Sequence, residues 1–185
     1  FRFEYAPSTI RFGAGCVDDL GAELERRGLD RALVVCGSTV GSTPAVIDPV
    51  RTGLGDRLAG VFDETTPKKR LATALEGCTR LREVDADVIV SLGGGSSLDV
   101  AKVSSTLAAR EREIDDVAAE FAERGTITVP DADLVPIVAV PTTLAGADLS
   151  MVAGVTAAPD TLPVDAAVGG GIGDPGLMPV AAFYD

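Results

Sequence analysis

Three short stretches of the chain carry residue types and spacings suited to holding a phosphorylated ligand. The first is Gly93-Gly94-Gly95-Ser96-Ser97-Leu98-Asp99-Val100-Ala101-Lys102, which follows an apolar run and leads into a helical pattern. Glycines between a strand and a helix let main-chain N–H groups approach a phosphate without obstruction from β-carbons. The helix that follows offers unpaired N–H groups and the positive end of its dipole, both favourable to a pyrophosphate. Ser96 and Ser97 would add hydroxyl donors, and a branched side chain at Gly95 would block the approach. The spacing is neither G-x-G-x-x-G nor G-x-x-x-x-G-K-[ST]. A tight turn capped by serine explains the glycine triplet about as well when it is read alone. Asp99 and Lys102, three residues apart on one helix face, weigh toward a ligand.

The second stretch is Pro141-Thr142-Thr143-Leu144-Ala145-Gly146-Ala147-Asp148. Two threonine hydroxyls after a strand would hold a ribose, a phosphate or an amide; the plainer reading is an ST-turn closing the strand. The third is Cys36-Gly37-Ser38-Thr39. An acid at the end of an early strand grips both hydroxyls of an adenosine ribose and repels a 2′-phosphate. Gly37 and Ser38 leave room for that phosphate, or form only a small turn.

For these stretches to meet, the elements before and after them must build a common edge. Short β-branched runs at 32–36, 60–63, 87–92 and 134–140 read as strands buried on both faces. Helical spacing appears at 16–27, ending at Gly28, at 45–58 with Pro49 and Gly53 as interruptions, at 68–83 and at 98–109. Residues 111–125 read as an acidic, amphipathic, exposed helix. Residues 151–156 and 181–184 read as strands, with the Gly/Pro-rich stretch between them, including Gly169-Gly170-Gly171, as a hairpin-like excursion that returns to the sheet. The fold class is α/β: a Rossmann-like, doubly wound, mostly parallel sheet with helices on both faces. In such folds ligands sit beyond the carboxyl ends of the strands, where all three stretches fall.

Composition narrows the partners. The 185 residues carry 28 acidic against 16 basic side chains, for a formal net charge of −12. Such a surface repels a nucleic-acid backbone, so nucleic acid is not expected as a partner. Only three lysines are present, Lys68, Lys69 and Lys102, and this acid-rich, lysine-poor balance fits a halophilic protein working in high salt. Three cysteines, Cys16, Cys36 and Cys78, show no metal-like spacing and point to a reducing, cytoplasmic setting. No apolar run is long enough to span a bilayer, and no membrane partner is expected. With no histidine, a Ser–His–Asp triad and a His-ligated metal are excluded within these residues.

The glycine decamer followed by Pro141-Thr142-Thr143 resembles the iron-containing alcohol dehydrogenase family, which carries a Gly-Gly-Gly-Ser…Asp…Ala-Lys segment and then Pro-Thr-Thr. The opening, Pro7-Ser8-Thr9-Ile10-Arg11-Phe12-Gly13-Ala14-Gly15, is similar to that family's entry strand and turn. The resemblance covers the whole chain but only the family's N-terminal domain. It implies that residues 1–185 are an NAD(P)-binding domain cut off before a helical, metal-binding C-terminal domain, and inactive alone. It implies cofactor contacts at Gly94, Gly95 and Ser96 for the pyrophosphate, with Ser97 beside them as a further cofactor-binding residue. Thr142 and Thr143 would lie toward the adenine and phosphate end, Gly37 and Ser38 at the ribose, and Asp99 and Lys102 near the nicotinamide side. Lys102 and Asp148 would be cleft residues, although no catalytic residue is assigned. A strictly NAD-dependent member is expected to carry Asp near position 37; Gly37 makes NADP use a possibility beside NAD. Leu144 to Ser150 stands closer to the maleylacetate-reductase branch than to the Gly-Thr-Gly-Ser-Glu of many alcohol dehydrogenases. The resemblance implies hydride transfer between nicotinamide and a small alcohol or carbonyl substrate. It also implies iron or zinc bound only by the second domain, so neither Asp174 nor Asp185 is a ligand, and a homo-oligomer for the full-length enzyme. Glycerol-dehydrogenase-type chemistry and a non-catalytic nucleotide-binding module remain as alternatives.

Overall fold

The computed structural model describes residues 8–110, 114–160, 162 and 164–185, apart from the side chains of 114 and 115. Pro7 of the opening motif and the first residues of the expected 111–125 helix lie outside the described residues.

Six strands form one parallel sheet in the order β1-β8-β5-β4-β2-β3. They are β1 (Thr9–Phe12), β2 (Ala32–Val35), β3 (Leu58–Phe62), β4 (Val88–Gly93), β5 (Ile137–Pro141) and β8 (Ala181–Tyr184). β2, β4 and β5 are continuous apolar runs because both of their faces are covered, and the alternation of side chains along a strand divides them between two cores. Leu33, Val35, Ile89, Ile137 and Ala139 face one helical layer, made by α4 (Leu71–Glu83), α5 (Gly95–Ala108) and α6 (Ile114–Arg124). Ala32, Val34, Val88, Val90, Leu92, Val138 and Val140 face the other, made by α1 (Leu20–Arg26) and α3 (Pro44–Leu54). A single turn of helix, α2 (Ser38–Gly41), follows β2. The doubly wound α/β architecture is as expected.

The chain runs from β2 outward to β3, returns to place β4 on the other side of β2, and then continues through β5 to β8, which lies inside the opposite edge strand β1. The direction of winding therefore reverses between β2 and β4, which opens a crevice at their carboxyl ends.

Several local expectations change. The 16–27 segment starts as a 3-10 turn (Cys16–Asp19) before α1, and Gly28 ends it at φ 69°. α3 runs through both Pro49 and Gly53 and stops at Leu54. The helix after the glycines begins at Gly95, three residues before its expected start. α6 is amphipathic, but it is not an exposed helix. It buries Val117, Ala118 and Phe121, and Arg110 pairs with the covered Glu120 carboxylate at 2.5 Å. Two hydrogen bonds from Thr128 reach the same carboxylate.

The excursion after β5 is an antiparallel hairpin of β6 (Val152–Ala157) and β7 (Val168–Gly173), separate from the main sheet, and the chain then returns as β8. The triple glycine 169–171 lies inside β7, not in the connection between the strands. β6 packs on α5 and α4, where Ala153, Val155 and Ala157 join their core. Among the described residues, no helix is long and apolar enough to cross a membrane.

Candidate dinucleotide-binding cleft

The three motifs leave the carboxyl ends of three adjacent strands: Cys36–Thr39 after β2, Gly93–Ser97 after β4, and Thr142–Asp148 after β5. Residues distant in sequence thus share one edge, centred on the point where the winding reverses.

The glycine loop is shaped by its first member. Gly93 sits at φ 139°, and a β-carbon there would lie 2.8 Å from Ser97 Oγ. This backbone lets β4 turn at once into α5. Gly94 is the N-cap of α5, and no side chain caps that helix. The amides of Ser97 and Leu98 both reach back to the Gly94 carbonyl. Those of Gly95 and Ser96 stand in the first turn, where a helix supplies no acceptor of its own. A β-carbon at Gly94 would face Thr143 Oγ1 at 3.3 Å, so the threonine rim closes on this bed from one side. A β-carbon at Gly95 would meet Ala145 and Ala147 at 3.6 Å, an ordinary contact. Gly95 therefore faces the 145–147 segment.

Ser97 turns away from the bed. It is buried, and its hydroxyl bonds Thr65 Oγ1 at 2.9 Å. The Thr65 amide in turn donates to the Cys36 carbonyl, which fixes the loop after β3 beside Gly37. Ser96 remains half-buried at the bed, while Ser38, Thr142 and Thr143 are exposed around it.

Lys102 is fully buried. Its ammonium donates to the carbonyls of Ala147 (2.8 Å), Ser150 (2.6 Å) and Val152 (3.0 Å), which uses all three protons. Burial pushes its pKa down to about 8, against the opposing pull of Asp99 and Asp148. In this arrangement Lys102 anchors the 147–152 segment over α5 and has no proton left for a ligand. Asp148 is also buried and accepts a hydrogen bond from the Tyr184 hydroxyl. It borders a gap of only about 10 Å³ beneath the glycine loop. Asp99 pairs with Lys69 at 2.8 Å.

Beside Thr142 lies a mainly apolar depression of about 260 Å³, bordered by Val17, Ala45, Val46, Pro49 and Val140 among others and by the acidic Asp185. Its size and lining suit a flat heteroaromatic ring. Sequence reading missed this pocket, Thr65 and Lys69. Only Lys69 left a trace, as part of a basic run in an acidic chain. Among the described residues no three His, Cys, Asp or Glu side chains converge to hold a metal ion. Asp174 caps a 3-10 turn through the Gly176 amide, and Asp185 accepts from the Val17 amide.

A family model described as iron-containing alcohol dehydrogenase matches residues 7–185. The 4-hydroxybutyrate dehydrogenase of Cupriavidus necator is 34% identical over 141 residues, covering 76% of this chain and 36% of that protein. Maleylacetate reductase 2 of Cupriavidus pinatubonensis is 30% identical over 188 residues, covering 100% of this chain and 42% of that protein. In structure, the sulfoacetaldehyde reductase of Bifidobacterium kashiwanohense, solved in complex with NAD+, superposes with a TM-score of 0.82. At 23% identity it covers 100% of this chain and 46% of its own, and it speaks to the fold alone. The chain thus spans less than half the length of these proteins.

Proposed function

The chain belongs to the iron-containing alcohol dehydrogenase family, a family of oxidoreductases, and from that premise we propose that residues 1–185 are the NAD(P)-binding domain of a dehydrogenase. The observation that carries this reading is the uncapped N-terminus of α5, set behind a glycine that permits no side chain, at the reversal point of the sheet. In this proposal the Gly94–Ser96 main chain binds the diphosphate bridge. Thr142 and Thr143 close over it, and the apolar depression beside Thr142 takes the adenine. Gly37 and Ser38 border the ribose. Ser97 and Lys102 act behind this surface, one holding the Thr65 loop and the other the 147–152 segment.

The nicotinamide, when bound, supplies the hydride chemistry. What these residues contribute is orientation: the diphosphate is fixed at one point and the ring is directed along the wall made by residues 145–150. The two relatives named above act, by their names, on hydroxy- or oxo-acids, which supports a carboxylate-bearing alcohol or ketone as the substrate class. We assign a metal-binding half to the portion of those relatives that this chain does not cover.

Fluorescence titration with NADPH and NADH tests the reading. Saturable binding of at least one is expected; binding of neither would sink it. Gly37→Asp probes the choice between them. A β-carbon at 37 would lie 3.1 Å from the Thr65 carbonyl oxygen, so the Thr65 loop must yield by a few tenths of an ångström. The carboxylate would then repel a 2′-phosphate. The expected shift in the NADPH-to-NADH affinity ratio is about 1–3 kcal/mol toward NADH. A ratio that stays fixed would place the ribose elsewhere.

A further inference from the structure

Two of the chain's three lysines stand next to an arginine in the run Lys68-Lys69-Arg70, in a protein of formal net charge −12. The run lies in the loop between β3 and α4, on the same carboxyl edge as the glycine bed. Lys69 adopts φ 48°, a left-handed backbone that a long side chain takes up only when its surroundings impose it. Here they do. Its amide donates to the Thr66 carbonyl, and its own carbonyl accepts from Thr156 of β6, both at 3.0 Å.

The side chain then crosses β6 at Gly154, where a β-carbon would come within 3.0 Å of Nζ, and ends 2.8 Å from Asp99 Oδ2. Asp99 lies four residues after Gly95 on α5, about one helical turn from the uncapped amides. The carboxylate is largely covered, with 12% of its side chain exposed, whereas Lys69 keeps 35%. The Lys69 side chain therefore keeps part of its surface open to solvent, and it borders a depression shared with Arg70 and Thr156. Its neighbours differ: Arg70 is held by both oxygens of Asp160, and Lys68 is exposed. A simple surface ion pair requires neither a left-handed backbone nor a side-chain-free crossing point.

We propose that Lys69 is an anion-recognition residue of the cleft, held in waiting by Asp99. A phosphoryl or carboxylate group arriving at the head of α5 takes the ammonium over from the aspartate. The inference rests on the cofactor reading for the location of the ligand. The anion comes either from the dinucleotide or from a carboxylate-bearing substrate.

Isothermal titration of the 185-residue chain with pyrophosphate, NADPH, NADH and succinate separates these sources. Lys69→Met is expected to weaken binding of the responsible probe about three- to tenfold, with the difference shrinking as salt is added. Lys69→Arg should recover most of the loss. Asp99→Asn removes the internal competitor and is expected to tighten the same probe several-fold, a gain that a purely structural ion pair does not produce. It carries the test by itself if Lys69→Met fails to fold. A loss with pyrophosphate and the dinucleotides assigns Lys69 to the cofactor; a loss with succinate alone assigns it to the substrate. Unchanged affinities for every probe in folded Lys69→Met, or an Asp99→Asn chain that binds no probe more tightly, would overturn the proposal. Lys69-dependent pyrophosphate binding without any NADPH or NADH binding would leave this anion site standing and remove the dehydrogenase reading.

Discussion

Gly93→Ala is expected to abolish binding of the nicotinamide dinucleotide and to destabilise the chain by about 2–4 kcal/mol. Two costs coincide at this position. The backbone sits at φ 139°, which L side chains rarely adopt, and the added carbon would stand 2.8 Å from Ser97 Oγ. Relief requires either a change in the φ of residue 93 or a displacement of Ser97. The first rotates the Gly94–Ser96 amides out of their common direction. The second breaks the hydroxyl bond to Thr65 and frees the loop beside Gly37. Both routes spoil the bed, so the loss of affinity should exceed what the loss of stability alone would cause. Urea denaturation together with NADPH titration, at a temperature where the variant is folded, separates the two. Wild-type affinity in a folded Gly93→Ala chain would mean that the diphosphate does not rest on this turn.

Lys102→Met should cost about 3–5 kcal/mol, a large share of the total stability of a domain this size. Methionine keeps most of the buried stem but leaves the carbonyls of Ala147, Ser150 and Val152 without the donor they share. The effect should be local before it is global. Hydrogen exchange in residues 147–157 should quicken first, because this segment meets α5 through that ammonium. A variant whose denaturation midpoint moves little would show that water reaches these carbonyls. A variant that kept its stability but lost the dinucleotide would instead return Lys102 to the cleft.

The order of strands and helices could be read from the chain because β2, β4 and β5 are buried, mainly apolar runs, and only a sheet covered on both faces needs them. The placement of the three motifs followed from that order. The direction of single side chains did not. Ser96 and Ser97 are adjacent and chemically alike, yet one borders the bed and the other is buried on Thr65, a partner 32 residues away in sequence. Spacing put Asp99 and Lys102 on one helix face but could not show that β6 and the 147–152 segment would cover that face. Spacing singled out Gly95 but could not show that a β-carbon there would face Ala145 and Ala147. In each case the deciding contact joins elements that are distant in sequence, and local patterning carries no record of it.

The glycine-rich β7 has a consequence beyond the cleft. At Gly170 a β-carbon would fall 1.8 Å from the Gly125 carbonyl oxygen, and the neighbouring Gly171 amide donates to that same oxygen. The hairpin thus meets the end of α6 main chain to main chain. Such a joint contains no rotamers that can repack around a newcomer, so any side chain there must lever the whole strand away. The seam is brittle where an ordinary core is forgiving, and damage to it would travel along β6 to the lysine anchor at the hairpin's root.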